Sequence, residues 1–211
     1  IFVKNIICNS HSALKVMKKL FKNIPFVKKK VFFLQNRTII KDSIISNSDI
    51  KKYNSISCGS LLSVKNIDFI IDVVYSLKSY YPHYTHAHAG KNGNMFPALI
   101  EKVKSKGLQK NFIFMGELKN LDGFYSNAEL FLHASTNEGV PNVIIEAMSF
   151  SLPIITSNWG DTHFFVINGK NGQVINNKNP QVWAKVIKDI LINNGLRANM
   201  RLNSLDTAKQ K

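Results

Sequence analysis

Apolar runs of strand length alternate with helical patterns along almost the whole chain. The runs predict strands over residues 1–8, 30–34, 56–59, 84–89, 111–115, 129–133, 153–156 and 172–175. Apolar positions three and four apart predict helices over residues 12–22, 65–80, 96–106, 142–150, 180–193 and 196–208, and a short helix or turn over 118–127. Strands that alternate with helices form parallel sheets. We therefore predict an α/β fold, a doubly wound parallel sheet flanked by helices on both faces.

One polar stretch interrupts this alternation. Asn, Ser and Lys dominate residues 36–53, which predicts an irregular connector. We place one domain tail at residues 1–40, the connector at 41–53 and a second domain at 54–211. The chain opens inside an apolar run without a starting Met, so we expect a piece of a longer protein.

Composition limits the classes of protein that fit. Hydrophobic residues make up 45% of the chain, enough for a large core, and no apolar run reaches the length of a membrane span. Cys8 and Cys58 lie far apart, each in an apolar run. Two reduced thiols are typical of a cytoplasmic protein, which is the location that we predict.

The chain is strongly basic. It carries 28 Lys and Arg against 13 Asp and Glu, a formal charge of +15, part of it in a Lys-rich block over residues 15–30. That block lacks interleaved aromatic residues, and no zinc-finger or RNA-binding signature is present, so we predict no nucleic-acid partner. An anionic membrane surface attracts such a block by roughly 1 kcal/mol per basic residue, which favours peripheral contact at the inner face of the cytoplasmic membrane.

The most informative stretch covers residues 132–157. Glu138 and Glu146 lie eight positions apart, separated by a tight turn from Gly139 to Asn142. Pro141 suits the first position of a helix, so the turn offers free backbone N–H groups and a helix dipole to phosphate. Glu146 lies in an apolar run, where a buried carboxylate needs hydrogen-bond donors. Sugar hydroxyls are suitable donors.

The order of these motifs resembles the donor-binding half of glycosyltransferase family 4, which has the GT-B architecture of two doubly wound domains facing a cleft. The resemblance covers about residues 54–208 and is strongest over STNEGVPNVIIEAMSFSLPIITSNWG. It implies that residues 1–40 are the tail of the N-terminal acceptor-side domain and that 54–211 form the Rossmann-like nucleotide-sugar-binding domain.

The resemblance also implies roles for individual residues. Glu138 would hold hydroxyls of the donor sugar and Glu146 the ribose, and Lys65 would be the cation for the diphosphate. Met115 would contact the base through its backbone. The donor-binding set is completed by the turn and by the residue after Gly59, namely Gly139, Val140, Pro141, Asn142 and Ser60.

The chain departs from the family pattern at three positions. Ser60 stands where the family has Arg, so one of two phosphate cations is missing, a loss of about 2–3 kcal/mol for one charged contact. Asp161 replaces a Gly, and Phe164 stands where the family often has Glu.

The resemblance implies a metal-independent enzyme without a cofactor. It would be a retaining hexosyltransferase that moves sugar from a nucleotide-sugar to a lipid-linked or saccharide acceptor, in the synthesis of cell-surface polysaccharide or lipopolysaccharide. Two alternatives stay open: a non-catalytic nucleotide-sugar or anion-binding module, and another GT-B enzyme such as a sugar-nucleotide epimerase.

Other polar residues are candidates for a metal site. His86 and His88 share one face of a strand, and Asp68 and Asp72 lie one helical turn apart. No further ligand lies near the histidines in sequence, so we interpret them as packed or surface residues and the aspartates as a solvated helix face. We predict no metal. The glycines at 90 and 93 fit neither a P-loop nor a dinucleotide fingerprint, and we interpret them as a tight turn.

Overall fold

A computed structural model of the chain describes residues 5–8, 10–22, 30–33, 51–138 and 142–210. Its strands are β1 Asn5–Cys8, β2 Lys30–Phe33, β3 Tyr53–Cys58, β4 His86–Ala89, β5 Phe112–Gly116, β6 Ala128–His133, β7 Ile154–Ser157 and β8 Gly172–Ile175. Its helices are α1 His11–Lys22, α2 Ile67–Lys78, α3 Phe96–Ser105, α4 Asp122–Ser126, α5 Asn142–Ser149, α6 Pro180–Ile192 and α7 Asn194–Lys209. Two short 3-10 helices cover Ser63–Lys65 and Thr162–Phe164.

Strands β3 to β8 form one parallel sheet. Their order is β5-β4-β3-β6-β7-β8, and every neighbouring pair is parallel. Strands β1 and β2 pair separately, also in parallel. The order runs outward in opposite directions from β3 and β6, and such a switch point opens a crevice at the carboxyl ends of the strands. The predicted doubly wound parallel sheet is confirmed.

Helices bury apolar side chains against both faces of the sheet. On one face, α2 packs Ile70 and Val74 beside Trp183 and Ile187 of α6. A separate cluster on the other face includes Ile144 of α5. Each fully buried aliphatic side chain of this size contributes about 1.5–3 kcal/mol. The near-continuous apolar strands in the sequence follow from this two-sided burial.

Two segments near the site begin at residues other than those predicted. Strand β3 begins at Tyr53, not at residue 56, because the Tyr53 N–H donates to the Asn127 carbonyl at 3.0 Å. Helix α2 begins at Ile67, since Asn66 takes a left-handed conformation, with φ 53°, that separates α2 from the 3-10 turn. Lys65 therefore ends that turn and does not lie in α2.

The predicted domain division stays a prediction. Residues 34–50, which contain most of the connector, lie outside the described residues, and Tyr53 belongs to β3. Helix α1 meets the loop after β7, where the His11 N–H donates to the Asp161 carboxylate at 2.5 Å. The His11 and Phe164 rings lie 4.5 Å apart. Two positions that depart from the family pattern therefore contact the start of α1.

The basic block is solvated where it is described: Lys15, Lys18 and Lys19 are exposed on α1. Among the helices of the described residues, none has the length and apolar character needed to cross a bilayer.

Candidate functional site

Two loops meet at the switch point of the sheet. One follows β3 and ends in the 3-10 turn that carries Lys65, and the other follows β6 and carries Glu138. The Thr136 N–H donates to the Val64 carbonyl at 2.9 Å, which joins the loops one residue before Lys65. The backbone thus brings together two residues that lie 73 positions apart in the chain.

Glu138 is the centre of a network of hydrogen bonds. Its Oε1 forms an ion pair with Lys65 Nζ and accepts from Ser135 Oγ at 2.7 Å. Its Oε2 accepts from His133 Nε2 at 3.2 Å. His133 Nδ1 lies 3.2 Å from Thr156 Oγ1, so both ring nitrogens have partners. The Glu138 side chain is only 13% exposed, and these three donors hold it in one orientation.

The same contacts keep Glu138 ionised. Burial raises the pKa of its carboxyl, but the hydrogen bonds and charge from His133, with those from Lys65 and Ser135, outweigh burial and lower the pKa to about 2. The site therefore holds a carboxylate anchor at neutral pH, suited to accept hydrogen bonds from sugar hydroxyls.

The lowered pKa of Glu138 has a consequence for acid stability. Because the folded-state pKa lies below the ordinary 4.5, the stabilisation is complete above pH 4.5 and is lost as pH falls toward 2. It amounts to about 3 kcal/mol, since each unit of pKa shift is worth about 1.4 kcal/mol. We expect the free energy of unfolding of wild type, minus that of Glu138→Gln, to shrink by about 2 kcal/mol between pH 6 and pH 3, since pH 3 still lies above the folded-state pKa. Urea unfolding from pH 6 to 3 measures it, and a difference independent of pH would contradict it.

Glu146 lies on α5 with a different partner. Its Oε2 accepts from Tyr125 Oη at 3.1 Å, and the side chain is half-buried although Ile145 and Ala147 beside it are buried. The expectation of apolar packing holds for those neighbours, but Glu146 itself reaches a partly open surface. We expected sugar hydroxyls to donate hydrogen bonds to Glu146, and in this structure the phenol of Tyr125 donates one.

Cys58, the last residue of β3, lies near two charged residues of the candidate site. Burial raises the pKa of its thiol, Glu146 raises it further, and Lys65 acts on it in the opposite direction. The last residue of β3 is therefore close enough to both the Glu146 carboxylate and the Lys65 ammonium group for their charges to act on it. Because Lys65 pairs with Glu138, both predicted carboxylates lie near this end of β3, and their shared role stays a prediction.

The remaining predicted residues are placed less centrally. Ser60 lies two residues after the end of β3, and Asn142 is the exposed first residue of α5. Met115 lies in edge strand β5, where Tyr53 Oη donates to its Sδ at 3.8 Å. Its predicted contact with a base stays a prediction. The predicted turn residues at 139–141, namely Gly139, Val140 and Pro141, lie outside the described residues.

Sequence reasoning missed two donors to the acidic pair. Ser135 donates to Glu138 and Tyr125 donates to Glu146. Ser135 lies three residues before Glu138, a spacing at which a hydroxyl reaches a loop carboxylate, so the sequence contained a signal. Tyr125 lies 21 residues before Glu146, and only the packing of α4 against α5 brings them together.

The two acidic and histidine pairs that we considered as metal ligands have partners within the protein. Asp68 and Asp72 both pair with Lys102 at 2.8 Å, so these aspartates bind a lysine on α3, as a solvated helix face would. His86 and His88 are buried and hydrogen-bonded, in agreement with packed residues. Over the described ranges, no group of three metal-binding side chains was found.

The predicted tight turn is present at Gly93, where the Phe96 N–H donates to the Gly93 carbonyl at 3.1 Å, but both glycines also meet a steric requirement that we did not predict. A Cβ on Gly90 would lie 1.9 Å from the Gly59 carbonyl oxygen, and one on Gly93 would lie 2.2 Å from that of Leu61. Neither has a positive φ. These positions require glycine because the strand β4 end approaches the backbone of the Lys65 loop too closely for any side chain.

A cavity of about 580 Å³ opens beside Ser135, the hydroxyl group of which donates to Glu138. Ser135, Ser157 and Trp159 line it, at the carboxyl ends of β6 and β7. A larger cavity of about 760 Å³ lies elsewhere, lined by Pro82, Thr85 and Asn111 near the amino ends of β4 and β5. The first cavity lies at the end of the sheet that carries the Lys65–Glu138 pair and has the size of a small-molecule site, but neither Lys65 nor Glu138 is among its lining residues.

Known proteins match the same region. The model of the family described as "Glycosyl transferases group 1" matches residues 38–206. The GtfA subunit of UDP-N-acetylglucosamine–peptide N-acetylglucosaminyltransferase from Streptococcus agalactiae is 29% identical over 132 residues, 62% of this chain and 26% of the relative. The capsular polysaccharide biosynthesis glycosyltransferase CapH of Staphylococcus aureus is 29% identical over 181 residues, 80% of this chain and 49% of that protein.

Solved structures share the fold. The pneumococcal O-GlcNAc transferase GtfA, crystallised with UDP and GlcNAc, superposes with a TM-score of 0.84 at 24% identity, over 99% of this chain and 42% of that one. At this identity the likeness establishes the fold alone. The chain thus spans between about a quarter and a half of the length of these proteins.

Proposed function

Because this chain belongs to the group 1 glycosyl transferases, we propose that it provides the donor site of a retaining glycosyltransferase of family 4. It moves a hexose-type sugar from a nucleotide-sugar to a lipid-linked or saccharide acceptor. The convergence of Lys65 and Glu138 at the switch point of the sheet is the observation that supports this best. The name of CapH supports a role in the synthesis of cell-surface polysaccharide.

The proposed reaction breaks the bond between the anomeric carbon and the diphosphate oxygen. Negative charge then grows on the leaving diphosphate, and the acceptor hydroxyl forms the new bond on the same face of the sugar while its proton passes to the leaving diphosphate oxygen. Lys65 stabilises the leaving group as a fixed positive charge close to the bond that breaks. Its ammonium group has three N–H donors, so one can remain on Glu138 while others reach phosphate oxygens.

The two carboxylates hold the rest of the donor. Glu138, oriented by His133 and Ser135, accepts hydrogen bonds from hydroxyls of the sugar. Glu146 accepts from the ribose hydroxyls, in place of or beside the Tyr125 phenol. Oriented anchors of this kind lower the entropic part of the barrier by fixing the reacting carbon against the acceptor.

We further propose that the reaction needs no metal and no cofactor, since Lys65 and backbone N–H groups neutralise the phosphates. The enzyme works in the cytoplasm, at the inner face of the membrane. Exposed Lys15, Lys18 and Lys19 on α1 support peripheral attraction to anionic lipid.

Calorimetry tests the donor site directly. We expect UDP or GDP to bind the chain, and Glu146→Ala to weaken binding about tenfold or more, because a charged hydrogen bond to the ribose is lost. Glu101→Ala is the matched control, since it removes the same charge from an exposed site on α3 and leaves affinity unchanged. A titration with sheared DNA at two salt concentrations measures whether the chain binds nucleic acid and how steeply that binding depends on salt.

Two results would contradict the proposal. One is equal affinity of the Glu146 and Glu101 variants for the nucleotide. The other is binding of DNA alone that weakens steeply with salt, which would indicate a nucleic-acid partner instead.

A further inference from the structure

A row of buried polar groups runs along β3 and β4 toward the site. In order they are Tyr84 Oη, Ser55 Oγ, the His86 ring, Ser57 Oγ, the His88 ring and the Gly59 carbonyl oxygen. Successive contacts measure 2.6, 2.7, 2.9, 2.8 and 2.9 Å. The parallel register makes the row possible, because it pairs residue 55 with 86 and residue 57 with 88.

All the hydrogen bonds of the row run in one direction, from the Tyr84 phenol as first donor to the Gly59 carbonyl as last acceptor. A carbonyl oxygen only accepts, so His88 Nε2 donates to Gly59 and Nδ1 of the neutral ring accepts from Ser57. The Ser57 hydroxyl, having donated, accepts from His86 Nε2. His86 Nδ1 then accepts from Ser55, whose oxygen accepts from the phenol of Tyr84.

Both rings are held neutral. Burial lowers the pKa of His86 well below its ordinary value, and it lowers that of His88 to about 4. A neutral ring with one donor and one acceptor fits each position, and every nitrogen is occupied. The rings are therefore neither metal ligands nor proton carriers. Their role follows from the last hydrogen bond of the row, from His88 to the Gly59 carbonyl.

The row ends at the backbone beside Lys65. The Gly59 carbonyl accepts from His88, and because the peptide is trans, the N–H of Ser60 points away from that ring. The Ser60 N–H donates to no residue in the described part of the chain. Gly59 has φ 143°, and a Cβ there would lie 3.0 Å from the Lys65 Cε. The free N–H thus lies close to the Lys65 side chain.

We infer that His88 is a positioning residue that fixes the Gly59–Ser60 peptide so that the Ser60 N–H donates to a phosphate of the donor. This inference rests on the proposed function and names a phosphate contact at the position where the family has Arg. A backbone donor oriented before binding costs no reorganisation when charge develops on the diphosphate.

Two substitutions at one position test the inference. His88→Leu removes the donor to Gly59, whereas the amide nitrogen of His88→Gln reaches the position of Nε2 and restores it. With UDP as the calorimetric titrant, we expect affinity to fall about tenfold in the Leu variant, because the peptide is free to rotate. In the Gln variant we expect affinity within about threefold of wild type.

His86→Leu is the matched control. It removes an equally buried ring but leaves the His88–Gly59 bond intact, so it should lower the melting temperature without weakening UDP binding. Equal UDP affinity in wild type and His88→Leu would overturn the inference, and so would equal losses in all three variants. Absence of UDP and GDP binding by wild type would overturn the proposed function, and the inference with it.

Nitrogen NMR of the imidazole rings tests the row without any substitution. We expect both histidines to be neutral from pH 6 to 8, each protonated at Nε2 and bare at Nδ1. Protonation of His88 at Nδ1 would reverse the row, leave the Gly59 carbonyl without its donor and overturn the inference.

Discussion

Lys65→Met is expected to lower kcat/KM for sugar transfer by about 10³-fold, because a fixed charge on the leaving diphosphate stabilises the transition state more than the ground state. With Ser60 in place of the family Arg, no second cation at that position compensates. Release of UDP or GDP from a nucleotide-sugar by the intact enzyme measures the effect. Methionine keeps the length of the side chain that packs against Gly59.

A second variant separates catalysis from folding. Lys65→Met alone leaves the Glu138 carboxylate, 13% exposed, without its cation, so part of any loss can come from stability. The double variant Lys65→Met with Glu138→Gln removes that charge as well. We expect it to recover the melting temperature but no activity. Transfer by either variant within about threefold of wild type would exclude the assigned role of Lys65.

The largest expected change in stability comes from Gly90→Ala. The added methyl group would lie 1.9 Å from the Gly59 carbonyl oxygen, which is backbone and cannot turn aside as a side chain can. Strands β3 and β4 must separate locally, which we expect to cost about 3 kcal/mol. The melting temperature should fall by roughly 6–12 °C for a chain of this length.

Gly123→Ala is the control for this substitution. Gly123 lies in α4, has no positive φ, and a Cβ there meets no heavy atom within 4 Å. Alanine in a helix is favoured over glycine by roughly 0.5–1 kcal/mol, so the melting temperature should stay constant or rise. Differential scanning calorimetry compares the two variants, and an unchanged melting temperature in Gly90→Ala would show that the strands have room to adjust.

The layered fold could be predicted because its strands are continuous apolar runs in the sequence, whereas its helices have apolar residues three and four positions apart. The apolar run of β6 and the helical spacing of α2 are unambiguous. The start of β3 could not be predicted in the same way. Tyr53 follows a polar stretch, and its strand conformation depends on hydrogen bonding to Asn127, far along the chain. The short helix over Thr162–Phe164 has no apolar period to reveal it.

The sequence indicated the charged residues of the candidate site but not the residues that hydrogen-bond to them. Glu138 and Lys65 were found from motifs, and the structure joins them in an ion pair. The donation from Tyr125 to Glu146 depends on packing between helices that no local pattern records. The serines of β3 recur with the same period of two as His86 and His88, but the register that pairs them is visible only in the sheet.

If the proposed function holds, the hydrogen bond between Thr136 and Val64 bears on attempts to change the donor sugar. It ties the loop of Glu138 to the loop of Lys65, so remodelling the carboxylate for a new sugar shifts the ammonium group as well. A change in selectivity for the donor sugar is therefore expected to change the turnover rate as well. Variant libraries that aim at a new donor sugar should randomise both loops in the same variant. Single-site libraries at Glu138 would return altered selectivity only with slower enzymes.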